Sequence, residues 1–209
     1  LMWLVHQHGF SRKHWRFSVS DTPIQSRTIE ILKWLVSEAN QANGSISKNH
    51  INFKNRLGVT AVHIAAYVSN IDSLSILAEV ADVNQCETVT GQSPLHVAVA
   101  VDVKCTNMYH PRLSSLESEL TSEHQLGLKK FLHLDENTKT EKCVTTVLEQ
   151  GANINALDYQ KRSPFYLACS IGDVFVAIIL RDKGADINIP DARGQHPLAA
   201  ACEHGHTEM

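Results

Sequence analysis

The sequence has little excess of either charge: over 209 residues, 19 Lys and Arg stand against 22 Asp and Glu, a formal net charge of −3. That balance argues against a nucleic acid or a membrane surface as partner, since both call for a basic face. The one mixed basic and aromatic run, Arg12-Lys13-His14-Trp15-Arg16, reads as a solvated loop. No apolar run approaches the roughly 18 residues of a membrane span, so no membrane insertion is expected. The opening Leu1-Met2-Trp3-Leu4-Val5 has no basic lead-in and is broken at His6, too short for a secretory signal. It starts in mid-pattern, and the expectation is a piece of a longer protein. Cysteine is scarce too, five residues with no C-x-x-C pair. An odd, scattered set points to reduced thiols that pack as small hydrophobes in a reducing compartment, the cytoplasm or the nucleus. Catalytic signatures are missing: no G-x-S-x-G, no phosphate-cradling glycine loop, no H-E-x-x-H. Histidine is plentiful at twelve, but the cluster His6, His8 and His14 has no Cys or carboxylate at ligand spacing. The expectation is a protein without enzymatic activity, metal, cofactor or small-molecule substrate.

What is present is a period. Gly151 and Gly184, Asn155 and Asn188, Asp158 and Asp191, Pro164 and Pro197, Cys169 and Cys202, and Gly172 and Gly205 are each 33 residues apart. Gly58 and Gly91, and His63 and His96, keep the same spacing upstream. Self-similarity at such a period is the mark of a solenoid of stacked supersecondary units. Within each unit a Thr or Ser precedes a short run that tolerates Pro at its start, as in Ser93-Pro94 and Ser163-Pro164, which reads as a helix N-terminus. Apolar runs at Leu74–Leu77, Cys143–Leu148 and Val174–Leu180 read as second helices. Gly151 and Gly184 follow two of them, where a left-handed residue ends a helix at least cost. Ala81-Asp82-Val83-Asn84 lacks that glycine, so its turn is one residue short.

These residues resemble the ankyrin repeat. Asp158 to Asn188 follows its pattern, and Gly58-Val59-Thr60-Ala61-Val62-His63-Ile64-Ala65-Ala66 and Gly91-Gln92-Ser93-Pro94-Leu95-His96-Val97-Ala98-Val99 match its G-x-T-P-L-H-x-A-A segment, with Ala61 in place of proline. The resemblance implies an all-α solenoid of about four to five helix-turn-helix units with hairpin loops, over a single domain 1–209. The units run approximately 1–52 (atypical), 53–84, 85–155, 156–188 and 189–209, the last stopping before its second helix. In the first unit Leu1–Gly9 fits a first helix, Phe10–Arg27 extra chain, and Glu30–Val36 the second helix. The third unit carries a long insertion, Lys104–Glu141, with its second helix expected from Lys142. Leu113, Leu116, Leu120, Leu128, Phe131 and Leu132 in it recur at helical steps.

The resemblance also implies function: another protein or a peptide as partner, held in the concave groove of hairpin tips and first helices. Carried over by register, that groove comprises Arg56, Leu57, Val59, Tyr67 and Val68, then Val89, Thr90, Gln92, Ala100 and Val101. It continues with Tyr159, Gln160, Arg162, Ser170 and Ile171, and with Arg193, Gln195, Glu203 and His204. Tyr67, Tyr159 and Arg162 are the preferred anchors, being residue types that most often carry interfaces. An alternative is a regulatory domain of a larger signalling protein or channel, contacting partners through Lys104–Glu141. His63 and His96 take the family's structural histidine. Asn52, Asn84, Asn155 and Asn188 take the hairpin asparagine, with Asn188 the best match to the substrate pattern of an asparaginyl hydroxylase.

Overall fold

The computed structural model describes residues 22–40, 48–100 and 136–206. Nine helices lie among them. They are α1 (Thr22–Asn40), α2 (Lys48–Ile51), α3 (Ala61–Tyr67), α4 (Ile71–Ala78), α5 (Pro94–Val99), α6 (Glu136–Glu149), α7 (Pro164–Ile171), α8 (Val174–Asp182) and α9 (Pro197–Glu203). The short helices alternate between two layers. First helices stack as α3–α5–α7–α9 and second helices as α1–α4–α6–α8, with each pair α3/α4, α5/α6 and α7/α8 packed across the layers.

Local chemistry sets the ends of these helices. Asn70 and Asp173 begin α4 and α8 by accepting from the amides of Ser73 (3.1 Å) and Val176 (3.0 Å), which satisfies donors that have no partner within the helix. Pro94, Pro164 and Pro197 sit at the first helical positions, where the missing N–H costs nothing. The core runs along the layer interface: Leu74, Leu77, Leu95, Val144, Val147 and Leu180 are wholly buried. Each buried Leu or Val contributes about 1.5–3 kcal/mol. Two thiols share this core, Cys143 and Cys169, and burial pushes both up to about 11, so they stay protonated packing groups. Cys202, at the same repeat position as Cys169, is exposed, because no described residue lies over that end of the stack.

The two atypical helices differ from expectation. The helix expected over Glu30–Val36 begins at Thr22, so six of the residues assigned to extra chain (Thr22 to Arg27) belong to it. The second helix of the third unit begins at Glu136, six residues before Lys142. Leu1–Gly9 and the insertion's residues 104–135, with its leucine pattern, lie outside the described residues.

The one-residue-short turn is present and is compensated. At the two glycine turns the chain closes i to i−5, Ala152 N–H to Val147 O (3.3 Å) and Ala185 N–H to Leu180 O (2.9 Å). At the short turn Ala81 N–H reaches Leu77 O, i to i−4, at 2.8 Å. The residue lost there returns in the next hairpin, where Glu87 precedes its turn glycine by four positions and Asn55 and Asp191 precede theirs by three. The two offsets cancel, which is why the 33-residue spacing survives across them.

Candidate functional site

The hairpins are built around one inward-turned side chain each. Asn55 Oδ1 accepts from the amides of Leu57 (2.9 Å) and Val59 (3.0 Å). Asp158 Oδ1 accepts from Gln160 (2.9 Å) and Arg162 (2.8 Å), and Asp191 Oδ1 from Arg193 (2.8 Å) and Gln195 (2.9 Å). In the longer hairpin the residue is Glu87, one methylene longer, which accepts from Val89, Thr90 and Gln92 and from the Thr90 hydroxyl. Burial acts to raise the Glu87 carboxyl, but the Thr90 hydroxyl and these amides outweigh it and hold it below the usual range. Asp191 behaves likewise, with Arg193 and Tyr166 among its donors.

Backbone bonds then join neighbouring tips: Thr88 N–H to Leu57 O (2.9 Å), Tyr159 N–H to Thr90 O (2.8 Å) and Ala192 N–H to Gln160 O (2.7 Å). At the hairpin bases the asparagines do the same. Asn52, Asn84 and Asn155 accept from the amides of Asp82 (2.8 Å), Asn153 (2.7 Å) and Asp186 (2.9 Å). His63 and His96 tie the helix starts to the next unit. Each Nδ1 accepts from Thr60 or Ser93, and each Nε2–H donates to a carbonyl one unit on, Gln92 (3.2 Å) and Arg162 (3.0 Å). That network fixes the tautomer, since a backbone amide can only donate. Tyr166 holds the equivalent position in the next unit. Its longer side chain passes the backbone and donates to side-chain oxygens, Asp191 Oδ2 at 3.2 Å or Gln195 Oε1 at 3.1 Å. His206 Nε2 donates to Ser170 O (3.1 Å), and His204 Nδ1 to Ala200 O (2.8 Å).

The expected groove residues divide on this frame. At the tips Arg56, Leu57, Val89, Tyr159, Gln160 and Arg193 are exposed, Tyr159 at 67% the most open aromatic among the described residues, and Thr90 is half-buried. On the first-helix side Tyr67, Val68, Ser170 and Ile171 are half-buried, and Glu203 and His204 are exposed. Val101 lies outside the described residues.

Three expected positions do not face outward. Val59 and Gln92 are 2% and 5% exposed, and Ala100 is buried. The position after the turn glycine closes the hairpin: Val59 O accepts from Asn55 N–H and Gln92 O from Glu87 N–H, both at 3.0 Å. Its side chain therefore points into the stack. Arg162 shares that register and is committed differently. Its guanidinium is paired with buried Asp158 at 2.7 and 2.8 Å, which makes it a structural cation before it is an anchor.

One tip residue was missed. Lys161 is exposed and left-handed at φ 57°, in the register that Gly58, Gly91 and Gly194 occupy elsewhere. The 33-residue register places it there, and that alignment was the available signal.

Tyr159 owes its pose to a glycine. A Cβ on Gly91, whose φ is +74°, would lie 2.4 Å from the Tyr159 ring, so the ring packs against the bare turn. Gly91→Ala is expected to lower stability by about 1–2 kcal/mol through the left-handed backbone alone, and to push the ring off its seat. A shift of the urea midpoint with an unchanged slope checks the first part, and tyrosine ring signals in NMR the second.

A stack of two-helix units joined by bonded hairpins is the architecture of a repeat solenoid with an elongated face. The profile described as ankyrin repeats, three copies, matches residues 24–108 and 132–209. The chain belongs to the ankyrin-repeat family, whose repeats generally serve protein–protein interaction. It is 26% identical over 150 residues to Neurogenic locus notch homolog protein 1 of Homo sapiens, covering 72% of this chain and 6% of that protein. It is similar also to the Danio rerio protein of that name (27% over 148 residues, 70% of this chain, 6% of the relative) and to human Neurogenic locus notch homolog protein 2 (26% over 137, 65% and 5%). The chain thus spans about one-twentieth of these relatives' length. Among the described residues no helix is long and apolar enough to cross a membrane.

Proposed function

We propose that this chain is a non-enzymatic scaffold or adaptor module that holds a protein or an extended peptide along its row of hairpin tips and first helices. The observation that carries the reading is the tip row itself. Leu57, Val89 and Tyr159 stand out from backbones tied tip to tip, so an apolar stripe is presented on a frame already ordered. Pre-ordering lowers the entropy cost of binding. The buried, protonated Cys143 and Cys169 favour a reducing compartment, cytoplasm or nucleus.

A test uses three baits in affinity capture: the chain itself, Leu57→Ser/Tyr159→Ala, and a chain with residues 104–135 replaced by a short turn, each checked for helix content. Arg162 is left alone because its loss would strand Asp158. Partners lost with the tip variant support the reading. Partners lost only with the shortened chain support a second one, a regulatory domain of a larger protein that contacts its target through the insertion, which the much greater length of the relatives favours. Asn188 is a further candidate for hydroxylation: it is exposed, and its side chain has no partner among the described residues. Absence of an added oxygen there in a mass spectrum of the cell-expressed protein would remove it.

A further inference from the structure

The row of tips is chemically one-sided. The carboxylates at the tips, Glu87, Asp158 and Asp191, are turned inward and buried, and each is consumed by its own hairpin's amides and, in two cases, by Arg162 or Arg193. The outward groups at the tips carry no carboxylate: they are cationic, apolar or, at Thr88 and Gln160, neutral and polar. Arg56 and Lys161 are exposed and have no acidic partner among the described residues, although the chain as a whole carries a net charge of −3. Between them along the row stand Leu57, Val89 and Tyr159, all large apolar groups open to solvent.

From this we propose that the tip row takes an extended, acidic and aliphatic protein segment, a partner class that rests on the tip row being the binding face. Geometry gives the pattern. Neighbouring units are about 10 Å apart, and a chain extended in the polyproline II form rises about 3.1 Å per residue with about three residues per turn, so one unit matches about three residues of ligand and side chains three apart share a face. Arg56 and Lys161 belong to units two steps apart. They match acidic residues about six positions apart, with aliphatic side chains every third residue between them meeting Leu57, Val89 and Tyr159. The apolar members of the row favour a polypeptide over a phosphate backbone. Charge complementarity of this kind sets specificity and on-rate, and screens with salt.

The test is fluorescence anisotropy with three labelled probes: a peptide of about twelve residues repeating Glu-Ala-Leu, its Lys-Ala-Leu counterpart, and an oligothymidylate of equal length. The expected result is binding of the acidic peptide at least about ten-fold tighter than the other two, weakened at high salt and lost in Arg56→Glu/Lys161→Glu. Both substituted side chains are solvent-facing, and circular dichroism checks that the variant folds. Equal or tighter binding of the basic peptide or the oligonucleotide overturns the acidic partner, as does indifference to the charge reversal or no binding of any probe. Tyr159→Ala separates the two levels. If it abolishes binding of a non-acidic probe, the tip row stands and the charge assignment falls. If binding is measured and Tyr159→Ala leaves it unchanged, the tip row falls as well.

Discussion

Lowering the pH from 7 towards 5 is expected to destabilise this protein steeply, and His63→Ala is expected to make that dependence shallower while costing stability at pH 7. His63 is wholly buried, and burial lowers its pKa to about 4, against smaller upward pulls from Gln92 O and Glu87. Lys54 adds to the lowering. The unfolded chain therefore takes up this proton first. Stability is intact above the unfolded value near pH 6.5 and is lost progressively as pH falls towards about 4, where the folded imidazole protonates too. The full span is worth about 3 kcal/mol at about 1.4 kcal/mol per unit. His96 is lowered by burial in the same way, with Arg162 O and Asp158 opposing. Glu87 and Asp191, held low by their hydrogen bonds, add a further loss at more acid pH, through the carboxylate range.

The structural reason is the two-sided role of the ring. Nδ1 must accept from Thr60 while Nε2–H donates to the next unit, and an imidazolium can only donate. Removing the ring leaves Gln92 O and the Thr60 amide without this partner, a cost of about 1–3 kcal/mol. Urea midpoints at several pH values for wild type, His63→Ala and His63→Ala/His96→Ala decide it. An undiminished slope in the double variant would move the acid sensitivity to the carboxylates.

Much of this arrangement was legible because the repeat is a register. Thr60, Ser93 and Ser163 begin helices, and Asn52, Asn84 and Asn155 bridge hairpins, at the positions their spacing assigns. The missing glycine before Asp82 marked a real shortening. Its compensation was hidden, because a lost residue and a gained one leave the period at 33. The inward turn of Val59 and Gln92 was hidden for another reason. Alternation along a hairpin is set by which backbone pair closes it, and glycine spacing does not reveal that. The start of α6 at Glu136 could not be read either, since Glu136 to Glu141 is polar and offers no apolar stripe from which to infer a helix. At the candidate site the register found Leu57, Val89 and Tyr159 but passed over Lys161, because a lysine in a glycine's place looks like a departure and not like a presented charge.

Leu77→Ala is expected to be among the most damaging single substitutions in the stack, costing about 2–5 kcal/mol for a wholly buried leucine that leaves a cavity. Its position makes the loss more than local. Leu77 lies on α4, which packs against α1, α3 and α6, so the helices before it reach the remainder of the second-helix layer through α4. In a solenoid each unit is stabilised mainly by its neighbours. Loosening the packing of α4 should therefore let α1, α3 and α4 open together at a lower free energy than α7 and α8. Leu198→Ala is the control: it removes a side chain of the same size that is 67% exposed, and is expected to change stability by no more than about 0.5 kcal/mol. Native-state hydrogen exchange reads the pattern directly. Early loss of protection confined to α1, α3 and α4 means that the units are coupled in series through second-helix contacts. Uniform loss across all helices would mean that the hairpin row, with its tip-to-tip backbone bonds and its histidine ties between units, couples the ends more strongly than the packing around α4. The hairpin row proposed to bind the partner would then be the part of the molecule that holds the stack together.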